Sequence, residues 1–192
     1  NLQRQIIHDS NSIGLAKVLS AKQTLNRINP EVSVIAIQEH VGTTKLLQLV
    51  TGVDAVVDAS DNFSTRYAVN QACVTQKKPL ISGAVVRFDG QVSTFDLRRA
   101  DSPCYHCLYP ITDGEQEDMP CAIMGVFSPL VGIIGCMQAA ETLKILLNIG
   151  ESLNGRLLLL DSLTMNWRTI KLHKDPACSV CHSSVPADTD VQ

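Results

Sequence analysis

The stretch VDAVVDASDN, residues 53–62, decides the fold. It begins as a short apolar run of β-branched and small residues, the composition of a strand buried on both faces of a parallel sheet. Asp58, Asp61 and Asn62 follow where that strand should end. In open α/β sheets the ligand crevice lies beyond the carboxyl ends of the strands, so chemistry is expected at these residues. Asp61 suits a nucleotide-bound Mg²⁺, because this hard cation takes one or two carboxylates together with phosphate oxygens. An aspartate here serves equally as the N-cap of a helix beginning near residue 63, and spacing alone leaves both roles open.

Working outward, residues 13–28 (IGLAKVLSAKQTLNRI) place Leu15, Val18, Leu25 and Ile28 at near-helical spacing, and Asn29-Pro30 stops the pattern. VSVIAI at 32–37 reads as a buried strand, and 44–50 as a short helix. Beyond the central stretch, a helix is predicted over 64–76, ended by Lys77, Lys78 and Pro79, with LISGAVV at 80–86 as another buried strand. This alternation predicts an α/β fold with a doubly wound, mainly parallel, Rossmann-like sheet. After Arg87 the texture changes. FDGQVSTFDL predicts a turn at Asp89-Gly90 and then an alternating strand, while GRLLLLD and WRTIKLH predict two paired strands. The sheet should therefore carry an antiparallel C-terminal extension.

The 192 residues, 45% hydrophobic and 18% charged, predict one domain over 1–182 followed by a flexible tail at 183–192. A net charge of −3 with only 4% aromatic residues provides neither a basic stripe nor a stacking platform, which argues against nucleic acid as a partner. Residues 122–140 are uncharged, but Gly125, Pro129, Gly132, Gly135 and Gln138 interrupt them, and Glu141 and Lys144 follow. A buried helix ending near Gly150, and a candidate subunit interface, is expected there in place of a membrane span. No apolar leader opens the chain, so a cytoplasmic location is expected. The glycines form no G-x-G, so a glycine-rich entry to the sheet is expected upstream of Asn1.

Four of the seven cysteines form two knuckles, Cys104-Tyr-His-Cys107 and Cys178-Ser-Val-Cys181. Two C-x-x-C pairs predict a closed tetrahedral thiolate site for structural zinc, with no position left for water. Their long separation means that the metal would pin the C-terminal end back onto the crossover loop that runs from Ser102 to Cys121. Disulfides fit poorly without a secretion signal, and a redox C-x-x-C would normally occur once, opening a helix. Cys73 and Cys136 fall in helical patterns and are expected in the core. Cys121, after Met119-Pro120 in a loop with the acidic segment DGEQEDMP, is a candidate thiol nucleophile, although a lone loop cysteine is more often incidental. Arg4 and Lys17 are cations that would neutralise a triphosphate if they reached the sheet edge, but periodicity alone reads both as solvated.

Taken together, NLQRQ at 1–5, Lys17 in GLAKVLSA, DASDN at 58–62, PLISGAVVRFDGQV at 79–92, PCYHCL at 103–108 and CSVC at 178–181 resemble the ThiF/MoeB/HesA family of ubiquitin-activating-enzyme-like proteins. The resemblance runs along almost the whole chain, and PLISGA…GQV and KLHKDPACSVC look most like its molybdopterin-synthase branch, ahead of its thiamine-pathway branch. It implies ATP-dependent adenylation of the C-terminal Gly-Gly of a small ubiquitin-like sulfur carrier, with Mg²⁺ and zinc, by a homodimer. It further implies that Asp61 binds Mg²⁺, that Arg4 and Lys17 contact phosphates, and that Asn1, Gln5 and Asn62 line the nucleotide pocket. Cys121 matches the crossover-loop cysteine that becomes a thiol partner in some members. The family's glycine-rich loop, its ribose-binding acid and an arginine donated across the dimer would all precede Asn1. The chain by itself is therefore expected to bind ATP poorly. Two other readings compete: a nicotinamide- or flavin-dependent Rossmann enzyme, which needs no acid at Asp61, and a non-catalytic zinc-stapled binding module.

Overall fold

The computed structural model describes residues 1–111 and 125–182. They fall into two compact units, Asn1–Gly42 and a second beginning at Thr43. Cys121, the acidic segment 113–120 and the tail 183–192 lie outside the described residues.

In the first unit, Asp9 caps a 3-10 turn at Ser10–Ser12 in a reciprocal capping box with Ser12. Helix α1, Lys17–Ile28, starts later than residue 13 because Gly14 has φ +90° and Ala16 is extended (ψ 134°). Ser20 and Thr24, one turn apart on α1, tie the preceding segment down: Ser20 Oγ lies 2.8 Å from His8 Nδ1, and Thr24 Oγ1 donates to the Ile7 carbonyl at 2.8 Å. The strand expected at 32–37 is not found. The segment makes no ladder among the described residues and leaves Ile35 82% exposed. A strand exists only through its neighbour's hydrogen bonds, which apolar composition alone does not supply.

The second unit is a five-stranded sheet in the order β1 (Val56–Asp58), β2 (Leu80–Val86), β3 (Asp89–Phe95), β4 (Arg156–Asp161), β5 (Asn166–Lys171). β1 and β2 are parallel, and the three remaining pairs are antiparallel. The α/β class and the antiparallel extension stand as expected. Helices α2 (Thr43–Thr51), α3 (Phe63–Gln76), α4 (Tyr105–Leu108) and α5 (Ser128–Leu147) complete the unit.

Strand alternation sends neighbouring side chains to opposite faces. Leu80 and its cross-strand partner Phe95 join Val50, Val69, Cys73 and Tyr105 in a core built from α2, α3 and α4. Thr94 points the other way and donates to the buried Glu141 carboxylate of α5 at 3.0 Å. The sheet is thus sandwiched between helices, and β2 is buried along most of its length because it meets both layers. α5 turns Leu130, Ile134, Gln138, Glu141 and Ile145 inward. This helix is long and apolar enough to cross a membrane, but here one face packs on the sheet through two buried polar side chains. Cys136 lies on the outward face and is exposed, not in the core, since it sits about 200° around the helix from Ile134.

The turn expected at Asp89-Gly90 falls two residues earlier. Val86 pairs with Asp89, leaving Arg87 and Phe88 as the loop, with Arg87 at φ +52°. The Arg87 N–H donates to the Gly125 carbonyl, and its own carbonyl accepts from Phe127 N–H at 2.8 Å. Gly90 is a strand residue because α5 presses on it: a Cβ there would stand 2.9 Å from Ile134 Cδ1. A glycine beside an aspartate reads as a turn from sequence, whereas this one permits helix-on-sheet approach.

Candidate functional site

The loop between β1 and α3 is held carbonyl by carbonyl. Asp58 Oδ1 accepts from Ser60 N–H at 2.9 Å, an Asx turn that redirects the chain as the strand ends. The Asp58 carbonyl accepts from Gln138 Nε2 of α5 at 2.8 Å, and the same amide reaches the Ile81 carbonyl at 3.2 Å. The Ser60 carbonyl accepts from the Arg66 guanidinium at 2.5 Å, and Arg66 also donates to the Gly83 carbonyl of β2 at 3.3 Å. Asn62 is the N-cap of α3, its Oδ1 accepting from Thr65 N–H at 2.8 Å.

That last bond separates the two roles left open for Asp61. The cap is Asn62, so the Asp61 carboxylate is not spent on the helix. Asp61 is exposed, and its Oδ1 accepts from Asn62 Nδ2 at 3.4 Å. The arrangement presents a carboxylate at the carboxyl end of the parallel strand, at the start of a 14-residue helix, on a loop tied at the Asp58 carbonyl, the Ser60 N–H and the Ser60 carbonyl. Such a group can take a divalent cation without first breaking a fold contact. Asn62 stands beside it, but its side chain is engaged in the cap.

Asn1, Arg4, Gln5 and Lys17 belong to the first unit, whereas Asp61 and Asn62 belong to the second. Arg4 and Gln5 are half-buried in a turn whose N–H groups both donate to the Asn1 carbonyl, and Lys17 is the exposed first residue of α1. The side-chain oxygen of Gln5 is buried with no hydrogen-bond partner.

The two knuckles come together as their spacing predicts. The Sγ atoms of Cys104, Cys107, Cys178 and Cys181 all lie within 4.8 Å of one another. Cys104 is 3.9 Å from Cys107 and 3.8 Å from Cys178, and Cys107 is 3.4 Å from Cys181. Four sulfurs about 2.3 Å from a tetrahedral ion would stand about 3.8 Å apart, so the cluster fits a four-coordinate metal. Two donors steady the thiolates: Asp175 N–H lies 3.5 Å from Cys107 Sγ, and Asn70 Nδ2 lies 3.7 Å from Cys104 Sγ. The Cys104 S–H, with help from the Asp175 N–H, holds the Cys107 thiol below its usual range. Asn70, in α3, also accepts from Tyr105 N–H at 2.9 Å, so the helix that begins beside Asp61 also braces the first knuckle. Cys73 is inert by contrast: burial and the nearby Asp58 push its thiol up to about 12.

Sequence reasoning missed Arg66, Asn70, Gln138 and Gly83. A signal existed for some of them. Asn62, Arg66 and Asn70 recur at four-residue spacing and so share a helix face, which the buried Cys73 extends. A polar stripe continuing into a buried position marks a load carried inward.

The sequence matches the ThiF family over residues 1–180. It is similar to the SAMP-activating enzyme E1 of Haloferax volcanii, 41% identical over 94% of this chain and 66% of the relative. It is also similar to the molybdopterin-synthase adenylyltransferase of Salmonella typhimurium, 39% identical over 94% of this chain and 72% of the relative. The fold is similar to E. coli MccB crystallised with ATP, with a TM-score of 0.77 and 24% identity over 95% of this chain and 56% of that one. The chain therefore spans between about half and three-quarters of the length of these proteins. With agreement along nearly all of its residues, the chain belongs to the ThiF family.

Proposed function

We propose that the protein carrying this chain is an adenylyltransferase that activates the C-terminal Gly-Gly of a small ubiquitin-like sulfur carrier, with the small subunit of molybdopterin synthase as the carrier. The carrier assignment is supported by the Salmonella relative, at 39% identity over 72% of its length. The observation that carries the chemistry is the Asp61 carboxylate, left free by the Asn62 cap at the carboxyl end of β1.

A carboxylate oxygen of the carrier attacks the α-phosphorus of ATP. The new O–P bond replaces the Pα–O–Pβ bond, whose electron pair leaves with pyrophosphate. Two anions must approach each other, so the protein's contribution is positive charge and fixed orientation. Asp61 would hold Mg²⁺, which when bound neutralises charge on the leaving pyrophosphate. Arg4 and Lys17 would meet the phosphates, and Asn1, Gln5 and Asn62 would line the nucleotide pocket. The cysteine cluster would hold zinc, whose affinity for four thiolates joins the C-terminal segment to the sheet. Residues 1–182 would act as one adenylyltransferase domain in a cytoplasmic homodimer, and Cys121 is the candidate thiol partner.

In the full-length protein, Asp61→Ala should lower ATP–pyrophosphate exchange about a hundredfold or more while leaving the zinc content unchanged. Exchange at the unsubstituted rate would rule out this role for Asp61.

A further inference from the structure

Arg66 is 93% buried, with a relative exposure of 7%, yet among the described residues it forms no ion pair. A guanidinium in that state is unusual, because burying a charge without a partner is costly. Nor does the packing of α3 require it. The helix is anchored by Val69, Ala72 and Cys73 in the apolar core, and its first turn is closed by Asn62. What solvates the charge is backbone: the Ser60 carbonyl, one peptide ahead of Asp61, and the Gly83 carbonyl in the middle of β2. The Arg66 N–H also donates to the Asn62 carbonyl, one residue after Asp61. That last bond is the ordinary opening bond of α3, so what the arginine side chain adds is the tie between the peptide ahead of the exposed acid and the sheet.

We propose that Arg66 is a positioning residue: by clamping the Ser60 carbonyl against β2 it sets the direction in which the Asp61 carboxylate meets a metal–triphosphate. This rests on the reading of Asp61 as the Mg²⁺ ligand. The other ties explain why a single clamp suffices. Gln138 fixes the Asp58 carbonyl and Asp58 fixes the Ser60 N–H, while the peptide oxygen directly ahead of Asp61 is the one Arg66 takes. The buried charge serves a second purpose, since it places a fixed positive potential beneath the loop that receives an anionic nucleotide.

The test measures ATP–pyrophosphate exchange against Mg²⁺ concentration for the full-length protein, Arg66→Gln, Arg66→Lys and Asp61→Ala. Arg66→Gln should raise the half-activating Mg²⁺ concentration about tenfold, with the rate at saturating Mg²⁺ within about threefold of the unsubstituted protein. Arg66→Lys keeps the charge on a shorter stem and should fall between the two. A merely structural arginine would lower the rate at every Mg²⁺ concentration and leave the midpoint in place. An unmoved midpoint in both variants, alongside an inactive Asp61→Ala, overturns the positioning role alone. If Arg66→Gln does not fold, the midpoint of Arg66→Lys decides the same question. Mg²⁺-dependent exchange that survives Asp61→Ala overturns the metal-ligand reading itself, and the positioning role with it.

Discussion

Gly83 and Gln138 form the tightest mutual constraint near the candidate site. A Cβ added at Gly83 would stand 2.4 Å from Gln138 Cδ, 2.5 Å from Oε1 and 2.9 Å from Nε2. The obstacle is the far end of a flexible side chain, so sterics alone would cost little. The cost arises because that end is committed, donating to the Asp58 carbonyl at 2.8 Å and the Ile81 carbonyl at 3.2 Å. Gly83→Ala must displace the amide. Two buried hydrogen bonds are then lost at about 1 kcal/mol each, and one acceptor left partly unsatisfied adds about 1 to 2 kcal/mol. The reduced freedom of the unfolded chain returns roughly 0.5 kcal/mol, for a net loss of about 3 kcal/mol. Gln138→Ala removes the same bonds and should cost about the same. The double variant is the sharper measurement. With the amide gone the new methyl has nothing to displace, so the pair should cost about 3 kcal/mol, well below the roughly 6 expected for independent sites. Urea unfolding with metal in excess reads all three. Additive losses, or a Gly83→Ala that unfolds with the unsubstituted protein, would show that Gln138 does not occupy the space above β2.

Two further outcomes are expected. Each chain should hold about one zinc ion, and chelation or Cys178→Ser should release the segment around 174–182 and lower the unfolding midpoint. Zinc-free protein that unfolds at the same denaturant concentration would exclude a structural metal. The outward face of α5 exposes Leu143, Leu146 and Leu147 at 55%, 50% and 61%. If it is the homodimer interface, Leu143→Arg with Leu147→Arg should give monomers in analytical ultracentrifugation, and an unchanged dimer would assign the interface elsewhere.

The elements legible in the sequence are those fixed by local chemistry. LISGAVV became β2 over the same residues, because an unbroken apolar run between breakers admits few alternatives. The two knuckles were legible because paired C-x-x-C spacing names the four sulfurs that come together. The segment at 32–37 shows the reverse case. Its apolar residues match β2 in texture, yet a ladder is a property of two strands and cannot be read from one. Gly90 fails differently: the pair Asp-Gly carries a strong local turn signal, but Ile134, more than forty residues away, decides that the missing Cβ is needed for packing.

The same distinction explains the partial legibility of the candidate site. Asp61 and Asn62 could be placed at the end of β1 from sequence, but which of them capped the helix could not. Both side chains can accept from the N–H groups of the first turn, and the choice follows from where the chain turns after Asp58. Once the Asx turn at Ser60 and the clamp from Arg66 fix that direction, Asn62 faces the Thr65 N–H and Asp61 faces outward. The acid left exposed is therefore selected by buried donors on α3 and α5 that never touch it. Changing those donors should redirect Asp61 while leaving the DASDN segment itself intact.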